Sequence, residues 1–323
     1  MEVKNSQIEQ SENVVEIIGT LKEINLKRDG VKSRTLKSGG TEKTVNCDAF
    51  VKKSFRDPAF VVESNGNLVG VDISFDVNQF RLDYETKEVK DNTEFKAIET
   101  IMNYEPNTRV RVKGSIVSNE YVDKSTGKWT VHPAKIKFSN MSSTSVSAET
   151  EDKADCMVSG IIQSMRDEFV NEVETGRLLM TLYAFDYNGA TFPIELVADK
   201  DIAEGVKSTY EVGQCANLFF EPKTVTKGRK IQTVESAGFG RKEANITSGY
   251  NVTEYSIFNG SVPFDEENPK FVSAEQFKIA KEERNTMIAQ KEQEKANKTS
   301  TPSAPSPSSF ATTGANKMAE LPF

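Results

Sequence analysis

The feature that most restricts the fold is a strand pattern that occurs twice along the chain. Each copy opens with an apolar strand that has a glycine inside it. In the first copy this strand covers residues 14–21 and contains Gly19, and in the second it covers residues 156–162 and contains Gly160. Glycine inside a strand marks a bulge or a sharp coil. The chain is therefore expected to form two small β-domains of related topology.

Further strands follow in each copy in an order typical of the OB-fold. In the first copy the pattern predicts strands at 44–51, 68–73, 109–118 and 129–138, with a helix at 95–102 after the third strand. In the second copy it predicts strands at 178–187, 191–197, 214–222 and 229–237, with a short helix at 199–207. Five strands with a helix between the third and fourth give the OB-fold, a small Greek-key barrel that binds oligonucleotides on one face. Another small β-barrel or a sandwich stays open as the alternative.

The expected fold is all-β dominated, with tandem OB-fold-like barrels, a C-terminal helix and a disordered tail. The predicted segments are a disordered N-terminus at 1–13, a first OB-like domain and main nucleic-acid binder at 14–140, a linker at 141–154, a second OB-like domain at 155–245, a brace and polar helix at 246–297, and a tail at 298–323. Ser273 can cap the helix, of which only the first two turns are apolar enough to pack on a barrel. The tail is rich in Ser, Thr, Pro and Ala, and cannot bury enough surface to offset the entropy of ordering.

The composition indicates neither catalysis nor a cofactor. The three cysteines are scattered and lack CxxC spacing: Cys47, Cys156 and Cys215. With one histidine, His132, they do not make a tetrahedral metal site of the usual kind, so they are interpreted as buried packing thiols. No phosphate loop, GxSxG elbow or HExxH helix occurs, and the chain is predicted not to be an enzyme. The weakest alternative is a hydrolase that holds Mg²⁺ on Asp72, Asp76 and Asp83.

The cellular location follows from the absence of long apolar stretches. No segment approaches the roughly 20 apolar residues of a membrane span, and the N-terminus lacks a signal-peptide core. A cytoplasmic protein is expected, in the host cell if a phage encodes it.

The net charge of −7 conceals an asymmetry between the two copies. Residues 14–140 carry 21 Lys and Arg against 18 Asp and Glu, a balance of +3, whereas residues 155–240 carry 8 against 13, a balance of −5. Local clusters decide which ligand a surface attracts, so the first domain is the expected site of a polyanion. The second is expected to be a weaker binder, or to hold partner proteins or other copies of the chain.

Alternation along the strand at 44–51 suggests a base-stacking platform. Cys47 and Ala49 fall on the side assigned to the core, and Phe50 and Lys52 on the outer side. An outward aromatic ring beside a lysine supplies a π-face for a base and a cation for the next phosphate. The basic hairpin at 27–43, with Gly39 and Gly40 at its tip, is expected to close over the strand.

The candidate nucleic-acid-binding residues combine this platform with the hairpin and with outward rows on the last two strands. They are Lys27, Arg28, Lys32, Arg34, Lys37, Lys43, Phe50, Lys52, Lys53, Arg109, Arg111, Lys113, Tyr121, Lys128, Lys135 and Lys137. Lysine rows also serve to block edge pairing, and that interpretation stays open for each row. Trp129 is expected to pack against the barrel, and Phe55 and Phe60 to form either a small satellite core or a stacking pair.

The chain ends in Leu321, Pro322 and Phe323, after the Ser- and Pro-rich spacer. This terminus and the strand order resemble bacteriophage-type single-stranded-DNA-binding proteins, whose tails close with Pro-Phe. The resemblance implies an OB-fold protein that coats strands during replication, recombination and repair, with the last three residues docking in an apolar pocket of a partner. The tip departs from the family pattern, since Glu320 is its sole acid and Lys317 lies nearby. Attraction to a partner is therefore expected to be weaker than in the family.

Two functions from different classes follow. The first is a non-catalytic single-stranded-DNA-binding protein that recruits replication or recombination proteins through its C-terminal tip, with RNA left open as a ligand. The second is a structural or adaptor protein, of the virion type, whose β-barrels make protein contacts. Neither requires a membrane, a metal or a cofactor, and homo-oligomerisation is left open.

Overall fold

The computed structural model describes residues 8–53, 57–227, 231–233, 244–246 and 250–300. The first half of the chain forms, in order, β1 (Asn13–Ile24), β2 (Leu26–Ser38), β3 (Thr41–Lys52), β4 (Phe60–Ser64), β5 (Asn67–Asp72), β6 (Asp76–Asn78), β7 (Phe80–Leu82), β8 (Val89–Asp91), α1 (Thr93–Ile101), β9 (Arg109–Val117), β10 (Glu120–Val122), β11 (Trp129–Val131) and β12 (Lys135–Ser142). The second half forms β13 (Lys153–Val170), β14 (Val173–Phe185), β15 (Thr191–Ala198), α2 (Ala203–Thr209), β16 (Cys215–Lys227), β17 (Ile231–Thr233), β18 (Ala244–Ile246), β19 (Tyr250–Gly260) and α3 (Ala274–Ser300).

Five strands of the first half close into a barrel. The order around the barrel is β1, β4, β5, β12, β9 and back to β1, with β5 and β12 parallel and the other neighbours antiparallel. α1 lies in the chain between β5 and β9, and Asn92 caps it by accepting a hydrogen bond from the Glu94 N–H at 3.1 Å. This strand order, with a helix between the third and fourth barrel strands, is the OB-fold order predicted from the sequence.

The second half closes in the same order. β13, β14, β15, β19 and β16 form the ring, again with one parallel pair, β15 and β19. The predicted fifth strand at 229–237 is wrong, because β16 pairs with β19. Of those residues, 231–233 pair with β18 as part of an insertion, and the others lie outside the described residues. The second barrel therefore extends to Gly260, beyond the predicted boundary at residue 245.

The two glycines of the opening strands lie where another strand crosses closely. A Cβ atom on Gly19 would lie 2.2 Å from the carbonyl oxygen of Glu63, and one on Gly160 would lie 2.4 Å from that of Tyr183. Both distances are shorter than any real Cβ contact, so a side chain would force the strands apart. Glycine is therefore required at both positions by the close approach of another strand, one of the uses of a glycine inside a strand.

The basic hairpin is an insertion rather than part of the barrel wall. β2 and β3 pair along their length and form a separate three-stranded sheet with β6. The two-residue turn between them has positive φ at Gly39 (52°) and Gly40 (78°), which side-chain-bearing residues rarely adopt. The second barrel strand is β4, so the assignment of residues 44–51 to that position is corrected. Phe60 on β4 is fully buried, with its ring centroid 5.6 Å from that of Phe138, and belongs to the main core.

The two barrels share one apolar core and one sheet. β1 pairs with β13 from Asn13↔Val158 to Ile18↔Lys153, and the buried cluster runs from Val15 in the first barrel to Phe220 in the second. The expected linker at 141–154 is largely bound: β12 continues to Ser142, and the Arg109 guanidinium contacts the Asp152 carboxylate at 2.5 Å. The barrels are therefore joined by strand pairing, by the shared core and by the bound linker.

Residues before β1 also contact the second barrel. The N–H of Ser11 donates to the carbonyl of Phe185 at 3.0 Å, and its hydroxyl oxygen accepts from the Phe185 N–H at 2.9 Å. Glu9 forms an ion pair with Lys270 at 3.0 Å. Contacts with the second barrel thus begin before the predicted boundary at residue 13, and residues 1–7 lie outside the described residues.

α3 bridges the barrels. Ser273 caps it as predicted: its hydroxyl accepts from the Gln276 N–H at 3.2 Å, and the Gln276 side chain accepts from the Ser273 N–H at 2.9 Å. Phe277 packs in a small buried cluster of the second barrel. Farther along, Arg284 forms a buried ion pair with Glu120 of β10 and donates to the Thr191 carbonyl of β15 at 2.9 Å. The helix therefore also contacts both barrels beyond the two apolar turns that were expected to pack.

No helix among the described residues is both long enough and apolar enough to cross a membrane.

Candidate nucleic-acid interface

The predicted stacking ring is buried. Phe50 on β3 is 2% exposed, and its ring centroid lies 4.6 Å from that of Phe95 on α1. Ala49 and Cys47 on the opposite face are also buried, because the base of the hairpin is covered on both sides. Phe50 is therefore a core residue, and its assignment as a stacking platform is wrong.

Lys52 and Lys135 converge on one carboxylate. The ammonium of Lys52 pairs with Asp72 on β5, and that of Lys135 lies 3.1 Å from the same side chain. Asp72 also accepts a hydrogen bond from the Ala59 N–H at 3.2 Å. Burial lowers the pKa of Lys52, whose side chain is 8% exposed. Lys52 thus fastens the hairpin to the barrel and is not presented to a ligand, which corrects its predicted role.

Of the basic residues on β9, two form ion pairs within the protein and one is exposed without an ion pair among the described residues. Arg109 holds the linker by donating to the Thr150 carbonyl at 2.6 Å and pairing with Asp152. Arg111 lies 3.5 Å from Glu16, whose pKa is lowered first by the hydrogen bond from Lys153. Lys113 is exposed and makes no ion pair with any residue that the structure describes. Of the three, Lys113 is the cation best placed to meet a ligand.

Most hairpin cations pair with neighbouring acids. Arg28 contacts Asp48 at 2.6 Å and Glu99 at 3.1 Å, and Arg34 contacts Asp29 at 2.5 Å and Asp76 at 3.0 Å. The exposed pairs Lys32–Asp29 and Lys37–Glu42 are both 2.5 Å long. Within the described part of the chain, the hairpin lysines without an ion pair are Lys27 and Lys43. Lys53 is exposed and precedes residues 54–56, which include Phe55 and lie outside the described residues.

Two grooves meet beside this hairpin. The strand groove, about 580 Å³, lies between the start of α1 and the β9–β12 wall and is lined by Lys137, Ser115 and Asn140. The hairpin groove, about 270 Å³, lies between β2 and the β6–β7 segment and is lined by Lys37, Phe80 and Arg81. Glu94 lines both grooves, so the two grooves adjoin at this residue. Asn140 pairs with Lys113 across β12 and β9, which brings that lysine to the end of the strand groove.

Aromatic rings do lie beside the hairpin, at two positions that were not among the candidate nucleic-acid-binding residues. Phe80 lines the hairpin groove, and Tyr84 is 73% exposed. Tyr84 lies against the hairpin tip, since a Cβ on Gly39 would be 3.6 Å from its ring. The ammonium of Lys87 stands 4.5 Å from the Tyr84 ring centroid. One sequence signal could have identified these two rings as candidates. Phe80 and Tyr84 stand close to basic residues in a segment that has neither strand nor helix periodicity.

The turn that carries Tyr84 is built locally. Hydrogen bonds from the Thr86 backbone and from Lys90 hold the pKa of Asp83 well below its usual value. The carboxylate accepts from the N–H groups of Glu85 and Thr86 at 3.2 and 2.9 Å. Asp83 therefore closes the turn as an ionised side chain and leaves the Tyr84 ring facing outward.

Tyr121 and Lys128 lie on a different surface. They belong to the β10–β11 hairpin, where Tyr121 stacks on His132 with centroids 5.2 Å apart and its hydroxyl 2.9 Å from the imidazole Nε2. Lys128 is exposed in the same hairpin. His132 lines a cavity of about 460 Å³ formed with β14, β15 and β19 of the second barrel. The structure thus separates these two residues from the strand and hairpin grooves.

Trp129 lies against α3. It is half-buried, with the Lys291 ammonium of α3 at 5.2 Å from its ring centroid. Its backbone N–H donates to the Glu292 carboxylate of the same helix at 2.6 Å.

The carboxylates considered for Mg²⁺ each have a different cationic partner. Asp72 pairs with Lys52, Asp76 with Arg34, and Asp83 with Lys90. Among the described residues, no group of three or more His, Cys, Asp or Glu side chains is arranged to hold a metal ion. The three cysteines are buried free thiols, and burial raises the pKa of Cys156 and Cys215. The predicted partner-docking residues Leu321, Pro322 and Phe323 lie outside the described residues.

Comparison with known proteins gives one family match and distant structural likenesses. The model of a family described as YorF matches residues 11–294. No curated protein matches the chain. Similar solved structures include a deletion mutant of the single-stranded DNA binding protein from Thermus aquaticus, with a TM-score of 0.43, 9% identity, and coverage of 81% of this chain and 99% of that one. The wild-type Thermus aquaticus protein has a TM-score of 0.41 and 10% identity, and covers 80% of this chain and 96% of its own.

Proposed function

We propose that this chain, which belongs to the YorF family, is a non-catalytic protein that binds single-stranded DNA along one side of its first barrel. The observation that carries the proposal is that the strand groove and the hairpin groove adjoin at Glu94 and that both are lined by cations. Cations line both grooves, at Lys137 in the first and at Lys37 and Arg81 in the second. One unpaired strand lying along this path would place phosphates at these cations.

The aromatic rings explain why the ligand is single-stranded. Phe80 lines the hairpin groove and Tyr84 is exposed beside the hairpin tip. Stacking on such rings contributes about 1–3 kcal/mol per base. It requires a base whose face is not covered by the adjacent base pair of a duplex. Every base has such a face, so binding is expected to tolerate sequence differences.

The ion pairs of the hairpin do not oppose this role. Lys32–Asp29 and Lys37–Glu42 are solvent-exposed pairs, and such pairs contribute only about 0–1 kcal/mol. A phosphate can therefore replace the carboxylate at little cost. Lys27, Lys43 and Lys113 require no such exchange, since no described residue pairs with them.

A titration of labelled oligo-dT followed by fluorescence anisotropy tests the function. Binding is expected at low salt, with log K falling against log salt by about 0.7 per phosphate neutralised. Duplex DNA and RNA of equal length are the comparison ligands. Tighter binding of the duplex than of oligo-dT would contradict the proposal, as would no binding of any single strand.

Variants locate the site. Lys37→Glu combined with Lys137→Glu is expected to weaken oligo-dT binding and to flatten its salt slope, because two phosphate contacts are lost. Tyr84→Ala is expected to weaken binding about tenfold with an unchanged free energy of unfolding, since the ring is exposed. Lys278→Glu, on the exposed side of α3, is the matched control. Equal affinities for all variants would move the site elsewhere.

We also propose the role in replication, recombination or repair and the recruitment of partners through Leu321, Pro322 and Phe323. The support is the sequence of the tail, an apolar tip behind a Ser- and Pro-rich spacer. Deleting these three residues is expected to leave the oligo-dT affinity unchanged and to abolish co-purification with replication or recombination proteins. Retained co-purification would exclude the tip as the docking segment.

A second candidate, an adaptor acting through protein contacts, is favoured by one surface. The tip of the β13–β14 hairpin exposes three apolar side chains, Phe169 (62% exposed), Val170 (52%) and Val173 (67%). Exposed apolar clusters mark protein contacts. Gel filtration of the wild type and Phe169→Glu, with and without oligo-dT, separates this function from the first: an assembly that needs the phenylalanine but no DNA supports the adaptor.

A further inference from the structure

Two residues that line the hairpin groove carry hydrogen-bond acceptors that have no donor among the described residues. Oε1 of Glu94 and Oδ1 of Asn78 are both buried and accept no hydrogen bond from any residue that the structure describes. Both side chains line the hairpin groove. A buried acceptor without a donor costs about 1–3 kcal/mol, and more when it is charged, so a ligand that brings N–H groups would be favoured here.

The surroundings of Glu94 define which ligand this is. Burial raises the pKa of Glu94, and the nearby ammonium of Lys137 opposes that shift. A carboxylate repels phosphate, so the phosphates of a bound strand would lie toward the lysines and a base would face Glu94. The groove volume, about 270 Å³, is below the roughly 300–1,000 Å³ of sites for drug-sized ligands and suits a fragment the size of one base.

We infer that Glu94, assisted by Asn78, reads a base in the hairpin groove by accepting hydrogen bonds from its amino group. The inference rests on the proposed single-stranded-DNA binding and adds a base preference to it. Cytosine carries the N4 amino donor that a glutamate accepts, whereas thymine and uracil carry the O4 acceptor at that position. Phe80 lines the same groove and supplies a ring beside the base. Strands rich in cytosine are therefore bound more tightly than strands of thymine or uracil.

The test compares oligo-dC, oligo-dU and oligo-dT of equal length at neutral pH and low salt, by fluorescence anisotropy. Cytosine and uracil differ at position 4 and in the protonation of N3, while uracil and thymine differ only by a methyl group, which controls for apolar contact. Wild-type protein is expected to bind oligo-dC about tenfold more tightly than oligo-dU, the value of one charge-assisted hydrogen bond. Oligo-dT is expected to match oligo-dU.

Glu94→Gln provides the residue-level test. The ratio of dC to dU affinity is expected to fall to about two or less, because a neutral amide accepts more weakly than a carboxylate. The absolute affinity for oligo-dU is expected to hold or rise, since a negative charge has been removed, and this also shows that the variant is folded. Glu105→Gln, an exposed residue after α1 that lines neither groove, is the control of equal charge change and is expected to keep the wild-type ratio.

The possible outcomes distinguish a failure of the base preference from a failure of the proposed single-stranded-DNA binding. A wild-type ratio near one with tight binding of all three strands would overturn the inference and leave the proposed function standing. A ratio that survives Glu94→Gln would overturn the assignment to Glu94. No binding of any strand would overturn both.

Discussion

Phe50 lies at the base of the basic hairpin and Tyr84 lies beside its tip, and the two rings differ widely in solvent exposure. Phe50 is 2% exposed at the hairpin base, under α1, and Tyr84 is 73% exposed beside the hairpin tip. Alternation along β3 placed Phe50 and Lys52 on one side of the strand but could not say that a helix 45 residues farther on would cover that side. Tyr84 belongs to a turn without strand or helix periodicity, so the alternation of apolar and polar residues did not mark it. The exposure of a side chain depends on contacts with residues that are distant in the chain, so the pattern of one β-strand does not predict it.

Replacing Phe50 by Ala is expected to lower the free energy of unfolding by about 3–5 kcal/mol, because a large buried side chain leaves a cavity. Urea unfolding monitored by circular dichroism measures this. Phe50→Leu, which keeps most of the apolar volume, is expected to lose less. A Phe50→Ala variant of full stability that had lost only its oligo-dT affinity would restore the ring as a binding residue.

At the scale of elements, local contacts were predictable and distant ones were not. The cap at Ser273 depends on a residue three positions away and was predicted. The ion pair of Arg284 with Glu120 joins residues 164 positions apart, and the polar sequence of α3 concealed it. β19 was missed for the same reason, since a long insertion separates it from β16, its antiparallel neighbour.

Arg284→Met is expected to lower the free energy of unfolding by about 3–5 kcal/mol, because Glu120 would be left buried without a cation. Hydrogen exchange is expected to quicken in the β10–β11 hairpin, which α3 then no longer holds. Adding Glu120→Gln is expected to recover part of the loss, since no unpaired charge stays buried. Lys278→Met, an exposed change on the same helix, is the control, and equal stability of the two methionine variants would show that the ion pair contributes nothing.

For the whole molecule, the sequence repeat predicted two barrels of one topology but not how they join. The joint is the pairing of β1 with β13, which places Glu16 next to Asp155 and within 2.9 Å of the Lys153 ammonium. The pairing of the two opening strands with each other does not change the apolar pattern of either strand, so the sequence does not indicate it. Residues 143–152 do connect β12 to β13, but the sequence did not indicate that Arg109 would hold Thr150 and Asp152 of this segment.

The joint gives stability a defined pH dependence. The hydrogen bond from Lys153 lowers the pKa of Glu16 below its usual 4.5, and Glu16 raises the pKa of Lys153 above 10.5. A lowered carboxyl pKa contributes stability above the unfolded value, which is lost as pH falls through the folded value. A raised ammonium pKa contributes stability below the unfolded value, which is lost as pH rises through the folded value. The pair therefore stabilises the joint between these two limits.

Glu16→Gln is accordingly expected to be less stable than the wild type by a constant amount from about pH 6 to 9, with the difference closing as pH falls below 4.5. Urea unfolding at a series of pH values measures it. Glu12→Gln, an exposed change just before β1, is expected to show no such pH-dependent difference. A Glu16→Gln difference that grew at low pH would contradict the assigned pair.

Hydrogen exchange with and without saturating oligo-dT tests the central claim most directly, because it shows where the strand lies without any substitution. Slower exchange is expected in β2–β3, in residues 74–92 and in β12, which border the two grooves. Protection confined to the second barrel, or binding that protects none of these segments, would contradict the account.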